Sequence, residues 1–531
     1  MTQALLLVVL LAAVVTVAIV AKRVAVPYPI AFVFGGIALA FIPNLPRPHF
    51  DPNLIFLIVL PPLLYGGGWS TDWFEFRRNA RPIGLLAIGL VVFTTVVVAL
   101  VAHALAGLDW TMAFTLGAIV APPDAVAAEA VFQRLAVPRR VVAVLTGEGL
   151  VNDATALVLY RFALAAAVSG TFSLAHASAT FVFASLGGIA IGLASSMLVA
   201  GVLHVLAKRG MQDATIANVL LLLAPYIAYL PADALGASGV LASVAAGIYM
   251  SRRAIVVLDA EGRIVGTAVW QVMIFLLNAF VFLLIGLQLP GLVSVLESTR
   301  TFVRDALVVS LAVIVVRILW VYPATWLPRA LSRGLRERDP MPRSWKPIAL
   351  VAWTGMRGIV SLAAALALPF TDAHGAPLSG RAEIIVITLC VIAVTLVVQG
   401  LSLAPLIRWL GIGETASAQT LETTIRIRAL EAAMAHLRTL EPSFSSPQHW
   451  EVAGRLLGEY EQRIAHLRGH LDDAADADEA TSENAVAHHL ERSTLDAERE
   501  EIARLRTVGE IPDDVYRAIE YDLDLADMRL R

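Results

Sequence analysis

Hydrophobic runs of about 20 residues recur along the chain from Leu5 to Leu410, and they leave few folds open. As a helix, a run of this length spans the roughly 30 Å hydrocarbon core of a bilayer. The chain is 58% hydrophobic and 16% charged, whereas soluble proteins are about 45–50% apolar and about 25% charged. The runs are continuous rather than alternating, which excludes a membrane β-barrel. The sequence therefore predicts an all-α polytopic membrane protein.

Pro, Gly and charged residues divide the apolar region into 13 predicted transmembrane helices. Lys22 and Arg23 follow the first run instead of preceding it, so we interpret that run as a spanning helix and not as a cleaved signal peptide. The predicted helices lie near residues 4–21, 27–43, 53–68, 82–107, 110–135, 140–169, 177–207, 213–230, 234–250, 264–289, 303–328, 345–370 and 382–410.

Lys and Arg concentrate in alternate connections between these helices, with 20 residues in one set of connections and 4 in the other. Basic loops stay on the cytoplasmic side of a membrane. This pattern predicts a multi-pass protein of the plasma (inner) membrane, with its N-terminus outside and its C-terminal tail in the cytoplasm.

The composition changes near Gly411. Residues 1–411 carry 27 Lys/Arg and 18 Asp/Glu, a net charge of +9, whereas the remaining residues carry 13 and 25, a net charge of −12. We predict a transmembrane domain over 1–411 and an acidic, helical cytoplasmic domain over 412–531.

Within the tail, Ile427, Leu430, Met434 and Leu437 fall on one face of a predicted helix. Residues 472–489 are polar and acidic, as in a solvated loop, and two further helices are predicted near 490–508 and 511–529. The tail has no nucleotide-binding, metal or catalytic motif, so we expect no cofactor and no nucleic-acid partner, and its own ligand stays open.

The segment VAPPDAVAAEAVF, residues 120–132, breaks the fifth predicted helix. Pro122 and Pro123 remove backbone donors and clash with the preceding turn, and irregular backbone at membrane depth requires protein or water around it. Asp124 lies at the break, where free carbonyls such as that of Pro123 are available. A cation site is one interpretation, and a proline kink with Asp124 capping the second half-helix is the other.

The segment TGEGLVNDATALVLY, residues 146–160, places Glu148, Asn152 and Asp153 in the sixth predicted helix. At 100° per residue, Glu148 and Asn152 lie on one face, and Asp153 points about 140° away from Glu148. The two carboxylates should therefore have different neighbours. The alternative is that these groups are polar contacts between helices.

The segment WTGMRGIVSLAAALALP, residues 353–369, predicts a second broken helix, because Gly355 and Gly358 flank Arg357. A buried guanidinium cannot lose its proton, so it requires a partner. We predict an ion pair between Arg357 and Glu148. The alternative is an arginine bonded to carbonyls at a helix C-terminus.

The two broken helices are the fifth of the first six and the fifth of the last six predicted spans. Interrupted segments at corresponding positions of two halves indicate two inverted six-helix repeats around an ion site near the membrane midplane. Of the other membrane charges, Glu129 is expected to pair with Arg134 or Arg139. Arg161 and Arg317 are interpreted as structural or interfacial residues.

These three segments resemble the signature segments of the cation/proton antiporters, in the branch of bacterial NhaP and the animal sodium/proton exchangers. The resemblance covers about residues 1–410. It implies a homodimer in which each protomer has a dimerisation part and an ion-translocating core with two crossed discontinuous helices.

The resemblance also implies residue roles. Asp153 matches the essential ion-binding carboxylate, Asp124 the acid at the first break, and Glu148 and Arg357 the conserved ion pair. The family often has Thr where this chain has Pro123, and Ser where it has Gly149. A hydroxyl ligand is therefore missing at Gly149, and water or a backbone carbonyl is expected to replace it.

We accordingly expect a secondary transporter, not an enzyme, that exchanges Na⁺ or Li⁺ for H⁺ at Asp124, Asp153, Asn152, Glu148 and Pro123. The resemblance, with asparagine at position 152 in place of a second aspartate, implies electroneutral one-for-one exchange. Alternatives are K⁺/H⁺ exchange by the same fold, an intramembrane aspartyl protease using Asp124 and Asp153, and a sensor or scaffold acting through the tail. Neither aspartate lies in the Tyr-Asp or Gly-x-Gly-Asp sequences in which such proteases carry their aspartates, and a protease mechanism would leave Arg357 without a role.

Overall fold

The computed structural model of the chain is almost entirely helical. It divides into two compact units, Met1–Gly413 and Glu414–Arg531. The structure describes residues 3–24, 26–42, 57–132, 135, 137–169, 174–211, 213–296, 300–332, 337, 344–371, 375–412, 415–440, 447–473, 494, 497–505, 519 and 523.

The helices of the first unit follow the apolar runs of the sequence. They are α1 (Gln3–Val24), α2 (Tyr28–Ala40), α3 (Leu60–Ser70), α4 (Trp73–Arg78), α5 (Ala80–Ala106, with a π-helical stretch at Leu85–Leu90), α6 (Trp110–Val120), α7 (Ala125–Phe132), α8 (Arg139–Ser169), α9 (Leu174–Lys208), α10 (Ala214–Ala234), α11 (Gly239–Val257), α12 (Ala260–Leu296), α13 (Arg300–Leu331), α14 (Lys346–Trp353), α15 (Ile359–Leu366) and α16 (Arg381–Leu410).

Within the described residues, each predicted span contains helix, and two of the spans consist of two half-helices. Within the described residues, eight helices are long and apolar enough to cross a membrane on their own. The count of 13 spans and the inverted-repeat relation between the two halves stay predictions.

Glycines let several helices of this unit pack with their backbones in contact. A Cβ atom at Gly36 of α2 would lie 2.1 Å from the carbonyl oxygen of Leu283 on α12, and one at Gly192 of α9 would lie 2.2 Å from that of Ala242 on α11. Small residues allow this approach, and close packing is a main source of helix association in lipid. These interfaces therefore join α2 to α12 and α9 to α11 as tightly packed pairs.

The two predicted helix breaks are both present. Residues 121–124 separate α6 from α7, and residues 354–358 separate α14 from α15. Pro122 and Pro123 end the regular hydrogen bonding of the first. The second break, which contains Gly355 and Gly358, is buried along its whole length.

The second unit contains two described long helices, α17 (Thr415–Leu440) and α18 (Pro447–Asp473), which pack against each other. Ile427 and Met434 of α17 are buried against Ile464 of α18, which confirms the predicted apolar face. Arg468 of α18 donates to Glu431 of α17 at 2.7 Å. Residues 497–505 are also helical. The predicted acidic loop and the predicted helix near 511–529 lie largely outside the described residues.

Candidate functional site

The two helix breaks contact each other inside the first unit. The backbone N–H of Asp124 donates to the carbonyl oxygen of Met356 at 2.7 Å. Backbone groups at helix ends lack partners within their own helix, and no water is available at membrane depth to replace them. The second break therefore provides a hydrogen-bond acceptor for the first, and the four half-helices meet where the two breaks touch.

The carboxylate of Asp124 lies against Gly358, the residue that precedes α15. A Cβ atom at Gly358 would be 1.7 Å from Oδ2 of Asp124, so only glycine leaves room for this carboxylate. The N-terminus of a helix carries a partial positive charge that favours an anion. The contact at Gly358 places this carboxylate beside the start of α15, and capping of α7 by Asp124 stays a prediction.

Asn152 attaches α8 to the first break. Its Nδ2 atom donates to the carbonyl oxygen of Pro123 at 2.8 Å, and its side chain is completely buried. Pro123 lies between the two half-helices, where a backbone carbonyl has no regular helical donor, and Asn152 supplies one. Asn152 therefore makes a polar contact between helices, which was one of the two interpretations of the sequence. Pro123 takes part in this contact through its backbone carbonyl.

A cavity of about 90 Å³ lies at the junction of the two breaks, α3 and α8. Asp153 lines it together with Asp124. Within the described residues no hydrogen-bond partner or ion pair is found for the Asp153 carboxylate. Glu129, Thr146 and Ser361 are further polar residues along the wall. The predicted cation ligands Asp124 and Asp153 thus share one cavity.

Glu148 faces away from this cavity and is paired with Arg317 of α13. Nη1 of Arg317 donates to Oε1 of Glu148 at 2.5 Å, and Nη2 donates to Oε2 at 2.8 Å. Both side chains are buried, with Glu148 1% and Arg317 0% exposed. This two-point geometry satisfies both carboxylate oxygens. The predicted pairing of Glu148 with Arg357 is corrected accordingly: Arg317, which the sequence places among structural or interfacial residues, is the structural partner of Glu148.

Arg357 binds backbone instead. Its Nη1 donates to the carbonyl oxygen of Ala121, which ends α6, and its backbone N–H donates to Oγ1 of Thr395 at 3.1 Å. Arg317 makes a corresponding contact, because its Nε donates to the carbonyl of Val351 in α14 at 3.1 Å. Each arginine therefore lies at the C-terminal end of a half-helix, where the helix dipole favours a cation.

The alternative interpretation of Arg357, as a residue bonded to helix C-terminal carbonyls, is thus the observed one. With Arg357 bonded to backbone, Glu148 requires another partner, and Arg317 supplies it. Space for Arg317 comes from Gly355 in the second break, where a Cβ atom would be 2.5 Å from the Arg317 Cδ atom.

Gly149 of α8 lies against Ala125, the first residue of α7. A Cβ atom at Gly149 would lie 2.6 Å from Cβ of Ala125, closer than real side chains pack. A serine cannot be accommodated here without movement of α7. The position that lacks the expected hydroxyl is therefore one where this chain has no room for it.

Two broken helices that meet inside a bundle of membrane-length helices, with carboxylates in a buried cavity at their junction, define a secondary transporter of the discontinuous-helix class. The transmembrane sodium/hydrogen exchanger family matches residues 9–409. The chain belongs to this family, whose members carry monovalent cations and protons across membranes.

Curated relatives agree with this assignment. The chain is 33% identical to an uncharacterized Na⁺/H⁺ exchanger of Mycobacterium tuberculosis, over 99% of this chain and 95% of that protein. It is 30% identical to the sodium, potassium, lithium and rubidium/H⁺ antiporter of Bacillus subtilis, over 93% of this chain and 73% of that one.

Among solved structures, the sodium proton antiporter MjNhaP1 from Methanocaldococcus jannaschii has the same fold. The TM-score is 0.56 at 19% identity, and the match covers 75% of this chain and all of that one.

Proposed function

We propose that the chain exchanges Na⁺ or Li⁺ for H⁺, with both ions using the cavity between Asp124 and Asp153. The observation that carries the proposal is the presence of these two carboxylates in one cavity of about 90 Å³ at the junction of the broken helices. Hard cations prefer carboxylate, carbonyl and water oxygens. Asp124 and Asp153 offer the carboxylate oxygens, and the broken backbone around Pro123 offers carbonyls.

Competition between the two ions provides the exchange. An ionised carboxylate in a buried site is costly unless a positive charge neutralises it, and either a proton or a metal cation can do so. A bound cation favours the ionised carboxylate and so expels the proton, and a bound proton removes the charge that holds the cation. The two ions therefore bind in turn, without ATP.

The charges around the breaks support one-for-one exchange. Glu148 and Arg317 neutralise each other. Arg357 then contributes +1 against −1 each for Asp124 and Asp153, so the junction carries one net negative charge when both acids are ionised. One proton or one monovalent cation restores neutrality. Asn152, which adds no charge, keeps the count at this value.

We place Glu129 outside this count. It lines the cavity but lies five residues beyond Asp124 on α7, more than one helical turn away. In this proposal it belongs to the access route and carries no exchanged proton.

The charge count has a direct test. Reconstituted protein should exchange its cation at a rate that does not respond to a membrane potential imposed without a pH gradient. Transport driven by potential alone would contradict one-for-one exchange while leaving antiport itself in place.

A K⁺/H⁺ antiporter is the second candidate, favoured by the similarity to the Bacillus subtilis relative, an antiporter of sodium, potassium, lithium and rubidium. Carboxylates alone do not separate Na⁺ from K⁺, since both are monovalent. The preference is measured by adding Na⁺, Li⁺, K⁺ and Rb⁺ in turn to everted vesicles loaded with a dye that reports the pH difference.

Alternating access, orientation and assembly complete the proposal. We propose that the junction of the half-helices alternates between the two sides as the core moves, in a homodimer in the plasma membrane. The N-terminus lies outside and the acidic tail lies in the cytoplasm, where its ligand is a further question. Reporter fusions at each terminus and cross-linking in the membrane test these points.

Asp153→Asn is the decisive variant. It keeps the side-chain volume and removes the carboxylate, so cation-driven proton movement in everted vesicles should fall to the level of empty vesicles. Asp233→Asn is the matched control, because Asp233 is a half-exposed residue of α10 that pairs with Arg161 away from the cavity. Normal transport by Asp153→Asn would overturn the proposed site.

A further inference from the structure

The ion cavity contains a hydroxyl group that the mechanism has not yet used. Ser361 lies in the first turn of α15, three residues after Gly358, and it lines the same cavity as Asp124 and Asp153. Its side chain is 2% exposed, and its Oγ atom has no hydrogen-bond partner within the described residues.

An unpartnered buried hydroxyl is unusual, because most buried polar atoms are hydrogen-bonded. Helical Ser and Thr commonly donate to the carbonyl one turn earlier. Other residues of this protein do so: Thr115 donates to Thr111, Thr354 to Leu350 and Ser310 to Ala306, each at 2.7 Å. Ser361 makes no such bond, although a backbone acceptor precedes it by one turn. Its oxygen is therefore available to a ligand in the cavity.

We infer that Ser361 is a cation ligand of this transporter and supplies the hydroxyl oxygen that Gly149 lacks. At Gly149 a side chain is blocked by Ala125, as the 2.6 Å separation from its Cβ requires. Ser361 lines the cavity from α15, which follows the second break, whereas Ala125 begins α7, which follows the first. The inference rests on the proposed function, since it assumes that the cavity binds the transported cation.

A hydroxyl ligand has a different effect from a carboxylate. The hydroxyl oxygen coordinates the cation, but the hydroxyl group does not exchange a proton at physiological pH. Loss of Ser361 should therefore weaken cation binding and change the order of preference among cations, while the proton stoichiometry and the maximal rate at saturating cation stay close to wild type. A residue that only filled space would not change the cation order.

The experiment uses full-length protein with wild-type sequence, Ser361→Ala, Ser361→Thr and Thr388→Val. Thr388 is the matched control, because it is completely buried in α16, its hydroxyl also has no partner within the described residues, and it does not line the cavity. Two readouts are taken for Na⁺, Li⁺ and K⁺: the apparent KM for transport in proteoliposomes, and the apparent Kd from cation-dependent thermal stabilisation in detergent.

Ser361→Ala should raise both constants about tenfold for the preferred cation, which corresponds to about 1.4 kcal/mol, and should change the ratios among the three cations. Thr388→Val should stay near wild type, and Ser361→Thr, which keeps the hydroxyl, should keep the wild-type order among the three cations. Unchanged constants and ratios in Ser361→Ala, or an equal change in Thr388→Val, would overturn the role of Ser361. Absence of transport by the wild-type protein would instead contradict the proposed function, and the binding readout would still decide whether Ser361 holds the cation.

Discussion

Replacement of Arg317 by methionine tests the corrected ion pair directly. Arg317→Met removes two charge-assisted hydrogen bonds to Glu148, of 2.5 and 2.8 Å, and one to the carbonyl of Val351. The Glu148 carboxylate then stays buried without a partner. Breaking a buried pair in this way costs about 3–5 kcal/mol of the free energy of unfolding. Glu148→Leu should cost a similar amount, because it leaves the guanidinium unpaired.

The double variant Glu148→Leu/Arg317→Met should cost less than the sum of the two single variants, since it removes both charges together. We expect a coupling energy of about 3 kcal/mol, the upper end of what contacting residues show. The same cycle with Arg357→Met is the control, and it should give no more than about 1 kcal/mol because Arg357 binds Ala121 and not Glu148.

The assay is unfolding of the purified protein in mixed micelles of increasing SDS content, followed by tryptophan fluorescence, with refolding checked at each point. A larger coupling for Arg357 than for Arg317 would refute the assignment. So would a coupling below about 0.5 kcal/mol for Arg317, since that is the scatter expected of independent sites.

Gly358→Ala should abolish transport, because the new methyl group would lie 1.7 Å from the carboxylate oxygen of Asp124 and displace it; overpacking of this kind typically costs about 1–3 kcal/mol, so transport is compared at matched amounts of folded protein. Gly149→Ser should reduce both stability and transport, and Ala125→Gly in the same chain should restore stability; a double variant no better than the single one would contradict the steric explanation. Glu129→Gln should slow transport while the ratio of protons to cations stays the same, and a changed ratio measured in proteoliposomes would place Glu129 among the exchanging acids.

Much of the helical framework is predictable because its causes are local. The two successive prolines Pro122 and Pro123 remove two neighbouring backbone donors and favour the first break, and the glycines around Arg357 favour the second. The angular spacing of Glu148 and Asp153 correctly separates their surroundings, with Arg317 on one side and the cavity on the other. Periodicity supplies this information without knowledge of the neighbouring helices.

The partners of the buried charges depend on contacts between helices far apart in the sequence, which periodicity does not supply. Arg317 and Arg357 are both fully buried, and the sequence gives no measure of which one reaches Glu148. One signal was available: Arg317 is the single charge in the centre of an otherwise apolar helix, and such residues are functional by default. The position of Asp124 beside Gly358 likewise requires the two breaks to meet.

The pairing of Glu148 with Arg317 also affects how the protein is made. The two residues are 169 positions apart, so at about 5–20 residues per second the carboxylate is synthesised about 10–30 s before its partner. During that interval Glu148 enters the membrane without Arg317, and an ionised carboxylate at membrane depth costs about 2.5–3.5 kcal/mol. The N-terminal half should therefore reach its final position in the membrane only once α13 has been synthesised.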